Sequence, residues 1–112
     1  MMAELVEIVT RATERERLDA YAEYGELHSL NEGYGVLAEE IDEVQESVEV
    51  VMSRFKKLLR SIREDSSELK SDLVQIWINA QLVACECIQV AAVAHRFIDL
   101  IDKEKREGAD AG

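Results

Sequence analysis

The sequence predicts an all-α fold: three main helices per chain, in a helical bundle completed by oligomerisation. Three observations carry that expectation. There is no proline and there are only five glycines in 112 residues, too little turn punctuation for a strand-rich fold. Apolar residues make up 47% of the chain and recur at helical spacing. The last apolar run is also too long, and too apolar around its circumference, for one small chain to cover.

The first helix is expected from about Ala3 to Tyr24, with Leu5, Ile8, Val9, Ala12, Leu18 and Tyr21 as its apolar stripe. A break follows over residues 25–35, where three glycines accompany Ser29 and Asn31 as N-cap residues. The second helix is expected from Asn31 or Glu32 to Arg63, its stripe running from Leu37 through Ile41, Val44, Val48, Val51, Phe55 and Leu58 to Ile62. Residues 64–68 form the second break, and a serine there starts the third helix, from about Ser67 to Glu104. Residues 1–107 read as one domain and 108–112 as a disordered tail.

The third helix would be about 57 Å long at 1.5 Å per residue, beyond the breadth of a compact monomer of this size. From Leu82 to Ala94 it is broken only by Glu86 and Gln89. An all-round apolar helix has to be covered all round, so a homodimer or homotetramer is expected.

Charge narrows the function. The net charge is −11, the wrong sign for gripping the backbone of a nucleic acid polymer but suited to divalent cations. No basic leader region precedes an apolar segment, and no eighteen-residue apolar run occurs, so no membrane partner is expected. Cys85 and Cys87 stand two apart on one helix and cannot bridge each other. They read as reduced thiols of a cytoplasmic protein.

The second helix opens with Glu39, Glu40, Asp42, Glu43, Glu46 and Glu49. Asp42 and Glu49 point outward and simply solvate the helix. Glu40 and Glu43 sit one turn apart at the border of the apolar face, where two like charges are costly unless a cation neutralises them. Glu86 is the one ionisable residue among residues 82–94, and Gln89 follows at i+3. With Gln75 and Asn79 these form a polar seam, either a hydrogen-bonded register device or half of a metal site facing Glu40 and Glu43.

Glu39-Glu40-Ile41-Asp42-Glu43 is a full EExxE motif. Together with the segments His28–Leu37 and Glu86–Phe97, it resembles the all-α nucleotide pyrophosphohydrolases, the MazG-like superfamily, and its short phage-type members in particular. The resemblance covers roughly residues 24–101. It implies magnesium (or manganese) held by Glu40, Glu43, Glu86 and Gln89, with Glu39 as an outer-shell or water-activating acid, and α–β cleavage of a nucleotide to monophosphate and pyrophosphate. Gln89 departs from the aspartate of catalytic members, and the interval from Glu43 to Glu86 is longer than theirs. His28, Tyr34 and Arg96 are the residues expected to contact nucleotide. The alternative function is a non-catalytic oligomeric binding module retaining the fold; an acidic mimic of a basic-surface ligand rests on net charge alone.

Overall fold

The computed structural model describes residues 1–111, with side chains through Gly108. Among these residues there are helices and no strand: α1 (Met2–Tyr24), α2 (Leu30–Arg63) and α3 (Leu69–Ala111). The all-α expectation therefore holds, and the observed helix starts lie within two residues of the expected ones. Glu104, the expected end of the third helix, lies inside α3. The tail expected at 108–112 falls mostly on residues whose side chains lie outside those described, and Gly112 lies outside altogether.

Local chemistry explains the breaks. Gly25 ends α1 at φ 74°, a left-handed conformation that glycine adopts without Cβ strain. Ser29 caps α2 by accepting the Glu32 N–H at 3.0 Å, and the Glu32 carboxylate reaches back to the His28 N–H at 3.4 Å. This exchange is the capping-box arrangement, displaced by one residue. At the other end of α2, Asp65 takes φ 48°. The Ser66 N–H bonds the Ser61 carbonyl at 2.9 Å and the Asp65 N–H bonds the Ile62 carbonyl at 3.2 Å. That is a Schellman closure with aspartate at the left-handed position.

The chain divides into two compact units, and α2 and α3 each contribute to both. One unit comprises residues 1–40 and α3 from Ile88 onward. Its buried apolar residues are Leu27, Ala92 and Val93. Polar contacts attach α1 to α3: Arg17 pairs with Glu14 and, at 2.9 Å, with Asp99, and the Tyr21 hydroxyl donates to Asp99 at 2.6 Å. Gly33 is buried against Phe97, so close that a Cβ there would lie 2.7 Å from the ring.

The other unit, residues 41–87, is a hairpin of α2 and α3. Asp72 is fully buried at its base, 3.1 Å from Arg54, 3.1 Å from the Ser61 hydroxyl and 3.4 Å from Lys57. The expected apolar stripe of α2 is divided here. Val44, Val48, Val51 and Leu58 are half-buried, while Ile41, Phe55 and Ile62 are exposed, with Phe55 at 68%.

An eighteen-residue window of α3 has a mean hydropathy of 1.5 and is 11% buried. By length and composition such a helix can cross a membrane, a test that the core helix of a water-soluble bundle also meets.

Candidate functional site

The acidic start of α2 and the apolar stretch of α3 meet in the first unit at a cleft of about 450 Å³. Leu27, Ala92 and Val93 form its apolar floor. Four carboxylates line it: Glu16 from α1, and Glu32, Glu39 and Glu40 from α2. Gln89 and Arg96 enter from α3 and Tyr24 from the end of α1. The negative field of this region acts on Tyr24, whose phenol pKa is raised, first by Glu23 and also by Glu16 and Glu40.

Arg96 is the one cation among the described lining residues, and only 5% of its surface is exposed. Its Nη2 donates to the Gly25 carbonyl at 2.9 Å, and its guanidinium lies 5.3 Å from the centre of the Tyr21 ring. Its Nε is buried with no hydrogen-bond partner among the described residues. Arg96, expected to contact nucleotide, is thus a buried strut at the edge of the cleft.

Three residues of the expected site, Glu39, Glu40 and Gln89, therefore line one cleft. Glu43 and Glu86 belong to the other unit. There Glu43 is exposed, while Glu86 is half-buried and accepts the Ser47 hydroxyl at 3.1 Å. The second carboxylate oxygen of Glu86 is buried with no hydrogen-bond partner among the described residues. Asn79, in the same expected seam, donates to the Gln75 main-chain carbonyl at 2.8 Å, which satisfies it within its own helix. His28 is exposed, with Nδ1 3.2 Å from Glu32, and Tyr34 is 72% exposed.

Two lining acids were not singled out from sequence. Glu32 carried a usable signal, the Ser29-x-x-Glu32 spacing of a helix start. Glu16 carried none, because its place in the cleft depends on how α1 is rotated against α3.

The donor set consists of oxygen atoms. Among the described residues no group of three or more His, Cys, Asp or Glu side chains is gathered closely enough to hold a metal ion. Magnesium does not require such a cage. It commonly binds through one or two carboxylates and completes its shell with water and substrate phosphate oxygens. Glu39, Glu40 and the Gln89 carbonyl fit that partial role.

No family model matches the chain, and neither a curated protein nor a solved structure matches it.

Proposed function

We infer that the protein is a magnesium-dependent nucleoside triphosphate pyrophosphohydrolase. The observation that carries this reading is the acid-lined cleft, which Glu39 and Glu40 of the EExxE segment line together with Gln89. A triphosphate approaching four carboxylates is repelled unless a divalent cation accompanies it. Bound magnesium supplies Lewis-acid polarisation of the phosphoryl group and neutralises its charge.

The residues of the chain do the rest. Glu40 and the Gln89 carbonyl offer oxygen ligands. Glu39 accepts a proton from water as the water oxygen bonds to the α-phosphorus. The bond from that phosphorus to the α–β bridging oxygen breaks, and pyrophosphate leaves with the electron pair. Arg96 places a positive charge beside the cleft, which favours a phosphate there.

The test is incubation of the pure chain with a nucleotide panel and Mg²⁺ or Mn²⁺, analysing for monophosphate and pyrophosphate. Glu39→Gln should lower the rate by at least about 100-fold if it is the general base. No product from any nucleotide, with a calorimetrically silent metal titration, overturns the reading. Cytoplasmic residence follows from the same reading, since its nucleotide substrates are held there.

Gln89 favours a second reading, a non-catalytic binding module that retains this fold, because it brings no charge to the site. Replacing Gln89 by Asp separates the two. Metal affinity rises if the cleft is a metal site, and stability alone changes if it is not.

A further inference from the structure

On α2 the residues Val48, Met52, Phe55, Leu59 and Ile62 fall at alternating intervals of four and three, the spacing of a coiled-coil seam. Val48 is half-buried with Val44, Val51 and Leu58, and the four residues that follow it in this seam are open. Met52 is 52% exposed, Phe55 68%, Leu59 56% and Ile62 53%. Four exposed large apolar groups in register on one face form a patch of the kind that marks an interface.

The charges flanking the seam suggest what covers it. On its outer side, every seventh residue reads Asp42, Glu49, Lys56, Arg63: two acids, then two bases, all exposed. On its inner side, the equivalent positions are Val44, Val51 and Leu58, half-buried and uncharged. A parallel pair of α2 helices would set the charged flank against the uncharged one and gain nothing. An antiparallel pair sets the charged flank against its own reversed copy, acid opposite base at every step. Asp42 then faces Arg63 and Glu49 faces Lys56, and both pairs centre on the same point beside Met52. A hollow lined by Glu49, Met52, Ser53 and Lys56 lies there.

Area agrees. The chain exposes 8383 Å², whereas a monomeric protein of this mass ordinarily exposes about 6,200 Å². The surplus of about 2,100 Å² exceeds the roughly 800 Å² per partner that a stable interface buries.

We propose that a second copy of this chain covers the open seam of α2, with the two α2 helices crossing antiparallel on a two-fold axis at about Met52. Neither nucleotide nor metal enters the pairing, so it is tested on the full chain in EDTA by sedimentation and light scattering, with circular dichroism confirming helix content. Wild type should sediment at twice 12.7 kDa. Glu49→Lys and Lys56→Glu each place like charges together twice per dimer and should weaken association about tenfold. The double variant Glu49→Lys/Lys56→Glu restores acid opposite base and should recover wild-type association. A wild-type mass of one chain at micromolar concentration overturns the proposal. So does a double variant no better than the singles, or partition of the chain into phosphatidylcholine vesicles in place of a soluble dimer.

Discussion

The guanidinium of Arg54 on α2 lies 3.1 Å from the carboxylate of Asp72 on α3, an acid with no surface open to solvent. Burial alone would raise the Asp72 pKa, but hydrogen bonds from Arg54, Ser61 and Lys57 outweigh it and the net direction is down. A carboxylate whose folded pKa is lowered adds stability above the unfolded value of about 3.9 and loses it as pH falls through the folded value. Asp72→Asn should therefore lower the thermal midpoint at pH 7 by about 10 °C or more. The gap to wild type should narrow below about pH 3.5. Calorimetry between pH 7 and pH 2.5 checks both.

Gly33→Ala should destabilise the chain, although alanine is the better helix former. The added methyl would meet the Phe97 ring at 2.7 Å, so the ring must move. Overpacking of this kind costs about 1–3 kcal/mol, against a propensity gain of about 1 kcal/mol. A lower urea midpoint is expected, with recovery when Phe97→Leu is added.

Arg96→Lys keeps the charge and removes the flat group that lies over Tyr21 while bonding the Gly25 carbonyl. Lysine cannot reproduce both contacts, and the loss should be about 1–3 kcal/mol. Hydrogen exchange over residues 24–29 should accelerate before that of α2 or α3, because Arg96 tethers this connection.

Glu86→Gln distinguishes a metal ligand from a structural acid. Removing charge from a carboxylate with an unmet buried oxygen should raise the metal-free thermal midpoint by about 4–8 °C. If Glu86 holds magnesium, the same substitution should abolish the upward shift that saturating Mg²⁺ gives wild type. A thermal scan with and without metal reads both effects.

Helix number, the two breaks, and Ser29 and Gly25 at the first of them are legible from the chain alone. Ser29 stands three residues before Glu32, and Gly25 ends an uninterrupted periodic run. These features depend on neighbours within one turn, which a linear reading contains. The EExxE acids were legible as well, and Glu39, Glu40 and Gln89 do line one cleft. Side-chain partners across long separations were not. Asp72 looks like any first-turn acid until the hairpin buries it beneath Arg54 and Lys57. Arg96 looks like a surface cation until Gly25 and Tyr21 fold over it. Phe55 and Val51 belong to one stripe by period, yet Val51 is half-buried in the α2–α3 hairpin and Phe55 is open. Periodicity states that a helix has an apolar side; which part of it is covered depends on the rotation of one helix against another, and that is set by the packing of the whole chain.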